Sequence, residues 1–575
     1  MNRALILTLL VSLAALVWFS HRLTGVRIYH ADECQNASMA RIIATGQTKA
    51  CYAEVGLFQM GPLAWLARGA TQSVDILVPA RFVMLEIFWL NVVLIALATG
   101  ERLFSRRGLA ALIGAATLAP LWDYGFEVRA DNLMLSGVLL LWCAVRVRPA
   151  GLQPFVIAGI LAAGLPFVDL KAVVFTLPIS AAILAFPPPG QRAPRWKLAF
   201  AWGAGALGTL VLIRLAYGAT GLWAVYVADL TRQLADVSRG NYRGSGEILG
   251  RLLGQTPLLL AFLAAALIAL ALELRRRGKA ALTWAGSLPE ALLFLVALAV
   301  MVINPAPEPH DLLQLVPYAF LLAYRYASEV SKAIWERFAL RSALLALLVF
   351  AHLVPFGLAT RRHLVWTNYH QEARMRLAEE LTDPARDPVY DGVGMVCTRR
   401  SSHFYWSLPN GNRPSLAEQQ GLRLRDLLAA RPAPVFIPNY RTDWLPAEDH
   451  AYMRERYVPL TDDFWVLGKV LPSGGGTFEV VHPGRYRISS LQGSDLAGTY
   501  PEGLAGLMAP LEDGSISGTL DGVPLSKLPV ELAVGTHRIE TKTDCQAAVV
   551  WMGRRQERMG RLGDSDHRFL FVNWY

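Results

Sequence analysis

The sequence predicts an α-helical polytopic membrane domain of about eleven spans, followed by a soluble region that combines a small α/β unit with a β-sandwich. Three observations lead there. The 575 residues are 54% hydrophobic and 17% charged, with a mean hydropathy of +0.34, where ordinary soluble proteins carry about 25% charged residues. The apolar excess is gathered into runs before position 360, and the chain beyond it turns polar, with turn residues and alternating strands. The net charge of +10, from 55 basic and 45 acidic residues, lies mostly between the runs. That placement is a topology signal, and nucleic acid is not an expected partner.

A helix needs about 20 apolar residues to cross roughly 30 Å of hydrocarbon. Runs at 4–19, 76–99, 109–121, 133–145, 155–168, 173–186, 198–217, 258–274, 288–303, 312–326 and 342–357 supply the expected spans. Every second connecting loop is basic, with Arg102, Arg106 and Arg107, then Arg146 and Arg148, then Arg192, Arg195 and Lys197, then Arg275, Arg276, Arg277 and Lys279, then Lys332, Arg337 and Arg341. The positive-inside rule puts these loops in the cytoplasm. The stretches 20–75, 123–131, 169–171 and 304–311 are then outside, and with an odd span count so is the chain from Arg361 onward. No small-x-small site follows Phe19, so the first run is expected to stay as an anchor. Arg heavily outnumbers Lys, which fits a GC-rich bacterial genome, and the expected location is the bacterial cytoplasmic (inner) membrane with a periplasmic C-terminal region.

Three domains follow: a multi-span membrane domain at 1–360, a small α/β region at 361–472 and a β-sandwich-like domain at 473–575. In the second, 388–397, 434–438 and 464–470 have the pattern of strands and 416–430 that of a helix. A glycine run at 474–476 then leads into strand-like segments at 477–481, 485–489, 530–533, 537–541 and 547–552, punctuated by Pro-Gly, Asp-Gly and Gly-Thr turns. Trp444, Trp465, Trp551 and Trp574 are candidates for stacking on carbohydrate, the alternative being core packing.

Several chemistries lack their usual motifs. The sequence holds no G-x-x-x-x-G-K-[ST], no G-x-S-x-G, no H-E-x-x-H and no C-x-x-C, so ATP-driven transport, serine hydrolysis, zincin and thioredoxin-like chemistry lose their support. The glycines Gly240, Gly244 and Gly246 fall in an outside loop, where nucleotides are scarce. Of the five cysteines, Cys34, Cys51, Cys397 and Cys545 lie on the expected oxidising side and Cys143 within a span. Cys34 to Cys51 would close a loop of roughly 16 residues, worth about 3 kcal/mol in the chain-entropy model. Cys397 to Cys545 would join the two halves of the soluble region, and buried free thiols are the alternative to both pairs.

The first outside loop carries His30-Ala31-Asp32-Glu33-Cys34-Gln35-Asn36 at the start of a helical pattern, with Ala37, Ala40, Ile43 and Ala44 on one face. Adjacent helical residues point about 100° apart, so Asp32 and Glu33 cannot form a facing glycosidase-type pair. The plain reading is a capping box in which Asp32 is the N-cap and Gln35 completes it. Further strings follow on the same face: Glu127-Val128-Arg129-Ala130-Asp131-Asn132, then Pro166-Phe167-Val168-Asp169-Leu170-Lys171, then His310-Asp311-Leu312-Leu313-Gln314-Leu315-Val316-Pro317. Arg129 and Lys171 could instead simply snorkel or pair with Asp131 and Asp169, and His310 could cap the helix after it.

Together the four strings resemble the outside motifs of the C-type (GT-C) glycosyltransferases, the superfamily of bacterial aminoarabinose transferases and protein O-mannosyltransferases. Leu170 departs from the pattern, which usually reads Thr-Lys there. The resemblance covers residues 1–360 and implies a polyprenyl-phosphate-linked sugar donor and an envelope glycan, lipid or protein acceptor, with transfer by inversion on the periplasmic face. It implies Asp32 as general base with Glu33 second, Arg129, Lys171 and His310 on the donor phosphate, and Glu127 and Asp131 toward acceptor or sugar. A divalent cation bridging Asp32, Glu33 or Asp131 to phosphate is an open option without a ligand-spacing signature. The rival readings are a transporter or flippase for lipid-linked glycans and a non-catalytic glycan-binding envelope scaffold.

Overall fold

The computed structural model describes residues 2–47, 57–147, 151–185, 191–238, 246–278, 288–303, 308–337, 341–400, 423–461, 463–491, 517–525, 529–542, 546–554 and 570–571. Where described, each of the eleven apolar runs is mainly helical. The first gives α1 (Asn2–Val26), and the outside loop after it holds α2 (Ala31–Ala44) and α3 (Leu57–Ala67). Then come α4 (Val74–Ala98), α5 (Arg106–Ala116) and α6 (Ala119–Tyr124), where Pro120 in the first turn of α6 starts a new helix inside the 109–121 run. The bundle continues with α7 (Ala130–Val147), α8 (Gln153–Gly164), α9 (Ala172–Ala185) and α10 (Arg195–Thr220). Next are α11 (Trp223–Ser238), α12 (Gly246–Gln255), α13 (Pro257–Arg277) and α14 (Leu288–Ile303). The helices α15 (Leu312–Arg337) and α16 (Arg341–Val365) complete the bundle.

Length separates these helices. Among the described residues, α1, α4, α10 and α13 are long and apolar enough to cross a membrane, whereas α7, α8, α9 and α14 contain shorter apolar segments. Four full crossings are therefore supported by length and composition. The chain breaks between α8 and α9 at a 3-10 turn, Leu165–Phe167, where Pro166 lacks the N–H that would continue a helix. Close helix contacts hold the bundle where glycine allows them. A Cβ on Gly159 of α8 would stand 2.0 Å from the Trp202 carbonyl of α10, and one on Gly205 would stand 2.3 Å from the Val156 carbonyl, so the two backbones touch through paired small residues.

The soluble region begins with α17 (Tyr369–Leu381). Its strands are β1 (Val389–Tyr390), β2 (Val435–Phe436), β3 (Tyr457–Thr461), β4 (Phe464–Leu471), β5 (Gly475–Val480) and β6 (Gly484–Leu491). The later ones are β7 (Gly518–Leu520), β8 (Val523–Pro524), β9 (Val530–Leu532), β10 (Gly535–Thr541) and β11 (Gln546–Trp551). Helices α18 (Leu424–Ala430) and α19 (Ala447–Arg456) lie among them. The first sheet runs β1-β2-β4-β11-β6-β9, with β3 also paired to β4, and the second runs β5-β10-β7-β8. Among the described residues, β1 and β2 pair in parallel and the other strand pairs are antiparallel.

The strand β4 pairs antiparallel with β11, Val470 opposite Ala548, so one sheet crosses the 472–473 boundary expected between two soluble units. Strand pairing, which the local pattern does not encode, joins them. The apolar core shows a second departure. One cluster fills the helix bundle, and the other combines α2, α3 and the start of α4 with both soluble sheets. The segment between α1 and α4 is thus packed into the C-terminal region.

Particular bonds tie them. Tyr29 N donates to Gln371 Oε1 at 2.6 Å, and Gln371 Nε2 donates back to the Tyr29 carbonyl at 2.9 Å. Ser73 donates from both N and Oγ to Glu379 Oε1 at 2.6 Å. Trp551 is 2% exposed and Trp465 packs edge-on against Phe436 at 5.4 Å, so both belong to the core. The Trp444 side chain and Trp574 lie outside the described residues. Cys34 and Cys397 are buried with free thiols, while their expected partners Cys51 and Cys545 also lie outside the described residues, as do Gly240, Gly244 and 416–422.

Candidate active site

The four strings separated in sequence meet at one end of the bundle. The first enters through α2, whose N-cap is His30 rather than Asp32. His30 Nδ1 accepts from Asp32 N at 3.3 Å, and His30 N donates to Glu33 Oε2 at 2.8 Å, so His30 and Glu33 form the capping box assigned above to Asp32 and Gln35. Starting the helix two residues earlier leaves the Asp32 carboxylate out of the cap.

Asp32 and Glu33 then have different surroundings. Glu33 is 0% exposed and takes Arg81 Nε at 2.8 Å, Arg81 Nη2 at 2.5 Å, Val128 N at 3.2 Å and the His30 amide. It binds α2, α4 and the 127–129 loop together. The Asp32 side chain is 26% exposed and bonds to Arg129 Nη1. Burial pushes the Asp32 carboxyl up, but the Arg129 guanidinium opposes it and, with help from Arg441, holds the group well below the usual carboxylate range. Burial pulls His30 down to about 4, so its imidazole is neutral at pH 7 and able to accept in the cap.

Arg129 extends the network. Its Nε donates to Asp131 Oδ2 at 3.2 Å, and its Nη1 is 3.9 Å from Glu127 Oε2. Glu127 sits deeper, bonded to Arg27 Nη2 at 2.8 Å. Burial lifts its carboxyl to about 8 although Arg27 and Arg129 pull the other way. Asn132 holds the loop from below, donating to the carbonyls of Tyr124 at 3.0 Å and Glu127 at 2.9 Å.

Lys171 arrives from the break after α8. Its backbone N donates to Asp169 Oδ1 at 2.9 Å, and its Nζ lies 2.9 Å from Asp311 Oδ1 and 3.6 Å from Asp131 Oδ1. The fourth string forms a 3-10 turn, Pro309–Asp311, ahead of α15. There His310 is 7% exposed, with Nδ1 at 3.3 Å from Glu308 Oε2 and Nε2 at 4.0 Å from Asp311 Oδ1. Gln314 Nε2 donates to the Asp131 carbonyl at 2.9 Å, fixing α15 to the start of α7.

Asp32, Glu33, Glu127, Arg129, Asp131, Lys171 and His310 are therefore neighbours in one network. Asp131, His310 and Asp311 also offer ligand atoms within 4.8 Å of one another, as a metal site requires, but the Lys171 ammonium stands between the two carboxylates.

Neither a protein-family model nor a curated protein matches the sequence. Among solved structures, the chain is similar to the apo crystal structure of the Archaeoglobus fulgidus oligosaccharyltransferase, with a TM-score of 0.43 and 12% sequence identity over 84% of this chain and 74% of that one.

Some members of the network had no role in the sequence reading. Arg81 lies inside an apolar run, and a lone arginine there signals a buried partner. Arg27 and Glu308 flank the strings, and Asp311 stands inside the fourth without an assigned role. Arg441 gave no signal, because it belongs to a loop of the soluble region. That loop is fixed by Asn439, whose Nδ2 donates to the Asp391 carbonyl at 2.5 Å and whose Oδ1 accepts from Arg441 N at 3.0 Å. Arg441 is 7% exposed, with Nε at 3.1 Å from the Tyr440 hydroxyl. Burial raises that hydroxyl, and the charges of Asp32 and Glu308 add to the rise. The loop that carries Arg441 thus contributes positive charge that acts on Asp32.

Proposed function

We propose that this chain is a membrane glycosyltransferase of the GT-C type, moving one sugar from a polyprenyl phosphate to an envelope glycan, lipid or protein on the periplasmic face of a bacterial inner membrane. The observation that carries this reading is the convergence of one partly exposed carboxylate, Asp32, with Arg129, Lys171 and His310 at one end of an apolar helix bundle. A lipid-linked donor would keep its chain in the bilayer and its phosphate at that end, where neither ATP nor nucleotide sugars are at hand.

In the transfer, the acceptor hydroxyl oxygen forms a bond to the anomeric carbon while the bond from that carbon to the phosphate oxygen breaks. The electron pair leaves with the phosphate, and the hydroxyl proton passes to Asp32. Lys171 and Arg129 meet the charge that grows on the leaving phosphate, and His310 supplies a hydrogen bond. Paired with Arg129, Asp32 is a weak base. A donor phosphate that draws the Arg129 Nη1 bond to itself releases the Asp32 carboxylate and raises its basicity as the substrate binds. Single displacement inverts the anomeric centre, which fits a single general base at Asp32. Glu33, fully engaged with Arg81, acts by position.

The test is mass spectrometry of polyprenyl-phosphate lipids from cells carrying either the wild type or Asp32→Asn. Accumulation of one glycosyl-phosphate lipid in the variant is expected, and its mass names the sugar class. Unchanged lipid and envelope-glycan pools at equal protein levels would overturn the transferase reading in favour of a flippase or a scaffold.

A further inference from the structure

We infer that the Lys171 ammonium is the resident cation of this site, filling the place where Asp131, His310 and Asp311 would otherwise bind a divalent metal ion. The three side chains are buried and their ligand atoms lie within 4.8 Å of one another. That donor set, two carboxylates and an imidazole, suits several divalent ions. A metal bound to it would sit about 2.0–2.4 Å from each oxygen, hence between Asp131 Oδ1 and Asp311 Oδ1. Lys171 Nζ is already there, 2.9 Å from Asp311 Oδ1 and 3.6 Å from Asp131 Oδ1. Two cations cannot share that space.

Each participant is held by a second bond, so the ammonium is built in. The Lys171 backbone N is fixed by Asp169 Oδ1 at 2.9 Å. Asp311 Oδ2 accepts from Glu308 N at 3.0 Å, which aims Oδ1 at Lys171. Asp131 Oδ2 takes Arg129 Nε at 3.2 Å, which likewise leaves Oδ1 for Lys171. One ammonium N–H donates to Asp311 Oδ1, and Asp131 Oδ1, at 3.6 Å, meets the ammonium as an ion pair without a hydrogen bond. The side chain is 34% exposed, which leaves another N–H for an anion arriving from the open side. A fixed monovalent donor would stabilise a leaving phosphate without a metal, so this deepens the transferase reading and rests on it only for the activity measurement.

The test is Mn²⁺ titration of the full-length, EDTA-treated protein in detergent, followed by the electron paramagnetic resonance signal of the free ion. The wild type is expected to leave that signal unchanged, Lys171→Ala to take up one Mn²⁺ per chain, and Lys171→Arg to take up none. Stoichiometric Mn²⁺ binding by the wild type that disappears in Asp311→Asn overturns the inference, as does a monodisperse Lys171→Ala protein that binds no ion. If Lys171→Ala does not fold, transfer from a lipid-linked sugar by the wild type decides. Full activity after EDTA is expected, and loss of activity restored by Mn²⁺ or Mg²⁺ overturns the inference. Because ion binding is read without turnover, failure of the transferase reading would leave the titration interpretable.

Discussion

Glu33 and Arg81, 48 residues apart, form a two-pronged ion pair with Nε to Oε1 at 2.8 Å and Nη2 to Oε2 at 2.5 Å, and neither side chain is more than 2% exposed. Removing one member of such a buried pair strands the other, at about 3–5 kcal/mol. Glu33→Ala is therefore expected to lower stability by that amount in thermal or denaturant unfolding. Replacing both residues by methionine should not restore it, because His30 N and Val128 N also lose their acceptor. Asp32→Asn, at a partly exposed position, should unfold close to the wild type. Equal destabilisation by the two changes would remove the division of roles between these neighbours.

His30 gives the α2 cap a pH dependence. Its folded value, pulled down to about 4 by burial, lies below the ordinary 6.5, so the unfolded chain binds the proton more readily than the folded one. The contribution to stability is complete above pH 6.5 and is lost as pH falls through about 4. His30→Asn keeps a capping oxygen that does not titrate in this range. Its unfolding midpoint should fall less steeply than that of the wild type between those two values. Parallel profiles would show that the cap is not the titrating element.

The crossing of α8 and α10 depends on Gly159 and Gly205. A methyl group at either position meets a backbone carbonyl of the other helix at 2.0 or 2.3 Å, so the helices must separate. Gly159→Ala is expected to cost about 1–3 kcal/mol in unfolding from detergent or bicelles. The control is Gly203→Ala on the same helix α10, where an added Cβ has nothing within 4 Å, and it should be near neutral.

In the soluble region, Arg374 of α17 donates from Nε to Asp463 Oδ1 at 2.8 Å, with 2% and 0% of the two side chains exposed. Thr461 Oγ1 donates to the same oxygen at 2.7 Å, and His370 Nε2 stands 3.2 Å from the other. Arg374→Ala leaves a buried carboxylate short of its cation and should destabilise by about 3–5 kcal/mol. Because α17 also carries Gln371 and Glu379, which bind Tyr29 and Ser73, the same change should expose the contacts of α17 with the 28–73 segment to proteolysis. A cleavage pattern like that of the wild type would separate the two events.

The sequence by itself determined the helical elements and the polar strings between them. Periodicity and run length are local, so the eleven apolar runs and strands such as β4, β6 and β11 are readable from neighbouring residues. The candidate residues stood out in the sequence, because Arg129, Lys171 and His310 lie close to the starts of apolar runs, where a charge is conspicuous, and Asp32 lies at the start of a helical pattern. Tertiary structure alone decided what each one touches. Both Asp32 and Gln35 had the pattern of a cap, and the actual cap fell to His30 because Glu33 turns to Arg81 from another helix. Pairing of β4 with β11 made one sheet across the expected 472–473 boundary, and the fold brought the charge of Arg441 to bear on Asp32. These outcomes depend on hydrogen bonds and charges between residues tens to hundreds of positions apart, which local pattern does not encode.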